Sequence, residues 1–125
     1  MIKLVFCCRR KAGLTREAFQ KRWLEVHGPL VRRLRAELPM MKRYVQSHTL
    51  VGPAGDAVEA GLRASRGTRA AYDGITEVWF DDLASMGGGS GEAARAAGQR
   101  LLEDEAEFID FADSVVFVTQ EHEIF

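Results

Sequence analysis

The sequence is poor in the residues and motifs that name a chemistry at sight. In 125 residues it has two cysteines, three histidines, three prolines and two tyrosines. Cys7 and Cys8 are adjacent, so on a strand they point to opposite faces and make a poor disulfide pair. They lack the spacing of a CxxC redox motif or a zinc site, and both read as small core residues of a reducing cytosol. His27, His48 and His122 show no HExxH or other short ligand spacing, so no metal is expected. No GxGxxG precedes a helix, and there is no GxSxG elbow. The run Gly87-Gly88-Gly89-Ser90-Gly91 lacks the lysine of a phosphate cradle and reads as a linker, so no cofactor is expected either. No apolar run approaches the roughly 20 residues that span a bilayer. Charge (Arg9-Arg10-Lys11) follows the first apolar run instead of preceding it, which predicts no secretory leader and a cytoplasmic location.

What is present is an ordinary globular composition. With 46% hydrophobic and 28% charged residues, the chain can bury a core as one domain over 1–125, and disorder is excluded as its main state. The net charge of −1 hides an asymmetry: residues 1–50 carry 12 basic and 3 acidic side chains, residues 51–125 carry 5 and 15. A basic half can mean nucleic acid, but the aromatics are not interleaved with it as stacking platforms, so no nucleic-acid partner is expected. The pattern reads instead as a basic helix lying beside an acidic one.

Hydrophobic spacing sets the element order. Ile2 to Cys8 reads as a strand. Thr15 is a good N-cap for a helix with Phe19, Trp23, Val26, Leu30, Val31 and Leu34 on one stripe. Gly28-Pro29 predicts a break or kink within it, and Pro39 marks its end. Met40 to Leu50 reads as a second strand, with Tyr44, Gln46 and His48 on one face. Residues 51–73 read as a long loop, with a short helix at most around Asp56 to Leu62. Gly74 to Phe80 is a third strand, Glu92 to Glu107 a helix with Ser90 as its cap, and Ser114 to Gln120 a fourth strand. The order β-α-β-β-α-β predicts an α+β, ferredoxin-like fold: a four-stranded antiparallel sheet with two helices on one face. The first and fourth strands are apolar on both sides, so the second sheet face predicts a homodimer that stacks sheet on sheet.

His27 is the sharpest candidate for chemistry. It shares a helix face with Phe19 and Trp23, and a break at Gly28-Pro29 would place it at a helix C-terminus, where free carbonyls favour imidazolium. Such a histidine is either a general acid or base or a core residue bonded across the break. Tyr44, Gln46 and His48 suit the wall of a polar pocket, or a solvated edge. Trp79, which shares a face with Glu77, is packing or an aromatic wall. Asp104 could orient a histidine or sit on a solvated face, and Phe108 and Asp110 close the second helix.

Several segments resemble the EthD family of the dimeric α/β-barrel superfamily. Leu14 to Phe19 with Trp23 and His27-Gly28-Pro29-Leu30 resembles its first helix. Arg43 to His48 resembles its second strand, and Tyr72 to Ile75 with Glu77 to Asp81 its third. Asp104-Glu105, Phe108 to Asp110 and Thr119 to Glu121 resemble its C-terminal part, while 51–71 and the glycine run lie outside the pattern. The resemblance implies a ferredoxin-like homodimer whose pocket takes a flat, oxygenated molecule, lined by His27, Tyr44, His48 and Trp79, with Asp73 and Asp104 as weaker carry-overs. It also implies a range of activities: cofactor-free dehydration or decarboxylation of aromatic polyketides, lactone isomerisation, a small monooxygenase or an accessory to one. The leading expectation is proton transfer on an aromatic or lactone-like compound. His27 would move the proton, Tyr44 or His48 would polarise an oxygen, and Phe19, Trp23, Gln46, Trp79, Asp104 and Phe108 would surround the ligand. The alternatives are the oxidoreductase-associated roles and a non-catalytic ligand-binding dimer.

Overall fold

A computed structural model describes residues 1–87 and 91–125. Strands β1 (Ile2–Cys8), β2 (Arg43–His48), β3 (Gly74–Phe80) and β4 (Val115–Gln120) form one sheet in the order β2-β3-β1-β4. All three pairings are antiparallel. β3 alternates buried and half-buried residues along its whole length, so the sheet has two unlike faces. Register carries the buried set of β3 (Gly74, Thr76, Val78, Phe80) across to His48, Gln46 and Tyr44 on β2, and to Cys8, Phe6, Leu4 and Ile2 on β1. This is the helix-covered face. On the other face, Lys3, Val5, Cys7, Val45, Ile75, Glu77, Trp79 and Phe117 are all half-buried or exposed.

The first helical segment starts where Thr15 Oγ1 accepts the Ala18 N–H at 3.1 Å. Helix α1 (Arg16–Arg22) runs into a π turn at Trp23–His27 and on into α2 (Gly28–Leu34). Of the break or kink expected at Gly28-Pro29, the break does not form, and the irregularity there is a π turn. His27 (φ −68°, ψ −44°) and Gly28 (φ −54°, ψ −51°) stay helical, and the Gly28 N–H reaches the Trp23 carbonyl five residues back. Proline has no N–H to give, and its ring crowds the carbonyl four residues back in a regular helix. One wider turn absorbs both defects.

The stretch read as a loop is mostly a helix, α3 (Pro53–Arg66), with Pro53 in its first turn and Gly67 closing it at φ 65°. Its four alanines, Glu59, Leu62 and two arginines are good helix formers, which outweighs Gly55 and Gly61, and Glu59 and Arg63 pair one turn apart. None of its residues is buried, and Val58 and Leu62 are exposed. Val58 and Leu62, one turn apart, belong to an apolar stripe that faces solvent instead of the core, and Gly55 and Gly61 interrupt the segment, which is why it read as a loop with a short helix at most. A short α4 (Leu83–Gly87) follows β3, started by Asp82 Oδ1 accepting the Ser85 N–H at 2.7 Å. Helix α5 (Glu92–Glu105) is preceded by Gly91, and the expected cap Ser90 lies outside the described residues.

Phe19, Trp23, Cys8, Phe108 and Ile109 form the core between helices and sheet. Phe19 joins the two helical segments, with ring centroids 5.5 Å from both Trp23 and Phe108. Gly74 lies directly under Trp23, where a Cβ would collide with the indole and with the Ser47 carbonyl. Only glycine lets the ring settle this close to the sheet.

Candidate active site

Two polar constellations lie on the helix side of the sheet, joined by Trp23. In the first, His27 and Asp104 meet between the π turn and α5. His27 Nδ1 is 2.8 Å from Asp104 Oδ2, and both residues are buried. Arg22 grips the same carboxylate from the solvent side, with Nη2 2.9 Å from Oδ1 and Nη1 3.3 Å from Oδ2. The basic and acidic helices do lie side by side, and this ion pair joins them. Asp104 is held below the ordinary aspartate value: burial works against ionisation, but the hydrogen bonds from Arg22 and His27 outweigh it. An ionised carboxylate only accepts, so the hydrogen must sit on His27 Nδ1. Burial pushes His27 below the ordinary histidine value, although Asp104 pulls the other way. The ring is therefore neutral at pH 7, with a lone pair on Nε2 to which no described residue donates a hydrogen bond. This corrects the expectation of an imidazolium at a helix end.

The second constellation runs along β2. Gln46 Nε2 donates to the Trp23 carbonyl and to the Tyr44 hydroxyl, both at 3.1 Å. Its Oε1 lies 2.8 Å from His48 Nε2, so His48 donates there and keeps a lone pair on Nδ1. His48 stacks on the Trp23 indole at 4.5 Å between centroids, 12° from parallel. Burial lowers the His48 pKa and raises that of Tyr44, so one ring is neutral and the other keeps its phenolic proton. The π turn is what frees the Trp23 carbonyl to reach both the Gly28 N–H and the Gln46 amide. An open groove between α2 and the β2 edge is lined at one end by Gly28, Tyr44 and Gln46.

The remaining expected site residues lie elsewhere. Trp79 is on the other face of the sheet, its Nε1 donating to Glu121 Oε1 at 2.6 Å, with Arg43 4.6 Å over its ring. It cannot share a pocket wall with His27. Phe19 (0% exposed), Trp23 (1%) and Phe108 (1%) are packed core and leave a ligand no free face. Asp73 is a structural anchor. It accepts the Arg10 N–H at 2.7 Å and Arg16 Nε at 3.0 Å, and it pairs with the Arg10 guanidinium.

Glu105 is the titratable group that motif reasoning passed over. Its half-buried carboxyl has no hydrogen bond or ion pair among the described residues, and burial together with the Asp104 charge pushes it up to about 7. It bears electrostatically on Tyr44 and Cys8, which puts it on the sheet side of α5. The signal was there: Ala97, Leu101, Glu105 and Phe108 follow the helical apolar stripe, and one of them is an acid. A carboxyl whose folded pKa is raised stabilises the fold fully only below the unfolded value near 4.5. That contribution is lost as pH rises through about 7. Glu105→Gln is therefore expected to stabilise the protein by about 2 kcal/mol at pH 8 and by little at pH 4.5. Urea denaturation at the two pH values reads the difference, and an equal effect at both would contradict the shift.

A family model described as the EthD domain matches residues 11–112. Among solved structures, an EthD family protein from Bacillus halodurans is 18% identical with a TM-score of 0.60, covering 98% of this chain and 99% of that one. An EthD-like protein from Ralstonia eutropha is 17% identical with a TM-score of 0.56, covering 95% and 89%. A dimeric protein of unknown function and ferredoxin-like fold from Bacteroides fragilis is 11% identical with a TM-score of 0.58, covering 96% and 95%. These likenesses show the fold. No curated protein matches the chain, and no helix among the described residues is long and apolar enough to cross a membrane.

Proposed function

The chain belongs to the EthD family, and on that premise we propose that it is a small enzyme that moves protons on an aromatic, polyketide or lactone-like compound, by dehydration, decarboxylation or isomerisation. The observation that carries this reading is the neutral His27 whose Nδ1–H is tied to Asp104, leaving Nε2 as the free base. Arg22 keeps Asp104 ionised and Asp104 orients the ring, the arrangement that turns a buried imidazole into a proton acceptor near neutral pH. Tyr44, which keeps its proton and stands at the end of the groove, would donate to a carbonyl or phenol oxygen and stabilise the charge that develops there. Glu105 supplies a second carboxyl that titrates near neutrality on the same side.

The working unit would be a homodimer through the open sheet face. That face carries the half-exposed Phe117 and Val115 beside Val5 and Cys7, apolar surface that a second copy would cover. A structural neighbour described as dimeric supports a homodimer.

Proton transfer is testable before the substrate is known. The protein is incubated in D2O with a panel of phenolic ketones and unsaturated lactones, and deuterium incorporation is followed by proton NMR. Wild-type protein is expected to accelerate exchange for at least one compound, and His27→Ala to abolish it. Exchange that persists unchanged in His27→Ala would falsify the role given to His27. No exchange across the panel would favour the binding role.

A further inference from the structure

The groove between α2 and the β2 edge has a volume of about 940 Å³, within the range of small-molecule sites. Its apolar lining is Val31 and Leu38, which are buried, Met41, which is half-buried, and Leu24, which is exposed. Its mouth is cationic. Four of its lining residues are arginine or lysine and none is acidic. Arg43 is committed to the other face, over Trp79, and Lys42 has a long, exposed pair with Asp81 at 3.7 Å. Arg32 and Arg35 have no ion pair or hydrogen bond among the described residues. They stand three residues apart, Arg32 in the last turn of α2 and Arg35 in the 3-10 turn that continues it, a spacing at which like charges repel by a few tenths of a kcal/mol. No acidic side chain among the described residues pairs with either guanidinium, and a ligand anion would offset the repulsion.

We infer that this groove binds a small organic anion whose apolar body lies on Leu24, Val31, Leu38 and Met41 while its carboxylate is held by Arg32, Arg35 and Lys42. Guanidinium groups present paired N–H donors that match a carboxylate, and the apolar floor excludes water from the body of the ligand. Tyr44 and Gln46 line the same groove. The inference therefore deepens the proposed function, on which it rests for catalysis: the substrate would carry an acid group, anchored away from the atoms that exchange protons.

The test uses 1-naphthoate and the uncharged 1-naphthamide as probes, titrated into the wild-type chain and into His27→Ala, a residue outside the groove lining, with the fold of the variant checked by its amide spectrum. Naphthoate is expected to saturate in both proteins, with backbone amide shifts confined to the α2–β2 region. It is expected to bind at least tenfold more tightly than naphthamide and to weaken as salt is raised. The double variant Arg32→Gln/Arg35→Gln is expected to lose at least tenfold in naphthoate affinity and to leave naphthamide affinity unchanged. Equal affinity for the two probes, unsaturable binding or shifts elsewhere in the protein would overturn the inference. Because binding is read in His27→Ala as well, its failure is separate from that of proton transfer. A protein that exchanges deuterium but does not hold naphthoate would lose only the anion site.

Discussion

Asp104→Asn is expected to lower the rate of deuterium exchange by roughly 10²- to 10⁴-fold while the protein stays folded. The carboxylate serves two donors at once, Arg22 Nη2 at Oδ1 (2.9 Å) and His27 Nδ1 at Oδ2 (2.8 Å). Asparagine has only one oxygen to offer. Arg22 can only donate and makes its shorter contact at Oδ1, 2.9 Å against 3.3 Å at Oδ2, so it holds that oxygen there, and the amide nitrogen takes the position facing His27. A donor there forces Nδ1 to accept, and the ring proton moves to Nε2. The base is then lost although no atom of the histidine has changed. The tautomer is visible directly, because the two ring nitrogens exchange their 15N shifts on going from the Nδ1–H to the Nε2–H form. An unchanged exchange rate with a reversed tautomer would show that Nε2 is not the acceptor. An unchanged tautomer would show that Arg22 does not orient the amide.

The largest expected effect on stability comes from Asp73→Ala, at about 3 kcal/mol of destabilisation. Asp73 is 2% exposed and has three donors on its carboxylate: the Arg10 backbone N–H, the Arg10 guanidinium and the Arg16 guanidinium. Truncation leaves the Arg10 N–H unpaired and removes the countercharge from both guanidinium groups. The Arg10 side chain is 39% exposed and the Arg16 side chain 19%, so both can turn toward water, which keeps the cost below that of a fully buried ion pair. The anchor also joins the end of β1, the start of α1 and the entry to β3, so its loss loosens the segment that leads into Gly74. The Asp73 pKa lies below the ordinary value because these hydrogen bonds outweigh burial. A group with a lowered folded pKa stabilises above its unfolded value and loses that contribution as pH falls through the folded one. The difference between wild type and Asp73→Ala should therefore shrink below pH 4. Urea midpoints at pH 7 and pH 3 test both parts, and a variant as stable as wild type at pH 7 would remove Asp73 from the framework.

Much of the fold was legible because its signals are local. Thr15 as an N-cap, the alternation along β1 and β3, and the stripe of Phe19, Trp23, Leu30 and Val31 each depend on residues within a turn or two of one another. Legibility stopped where the deciding partner was remote or missing. α3 was under-read, as a short helix at most, because its apolar stripe meets no core and its glycines look like loop, and a break was weighed at Gly28-Pro29 although a π turn costs a helix less than breaking it.

The site divides the same way. The sequence by itself determined the order of the four strands and the two helices that cover them, the family, and which side chains share a face: His27 with Trp23, Tyr44 with His48, Glu77 with Trp79. It did so because strand and helix periods are properties of the local backbone. Only the tertiary structure decided which face each set occupies and what it meets there. Asp104 reaches His27 across 77 residues, and strand register turns Trp79 away from the helices. Depth of burial then makes His27 neutral and Glu105 hard to ionise. Protonation in the fold depends on desolvation and on charges a few ångströms away, and neither quantity exists until the chain has closed around the site.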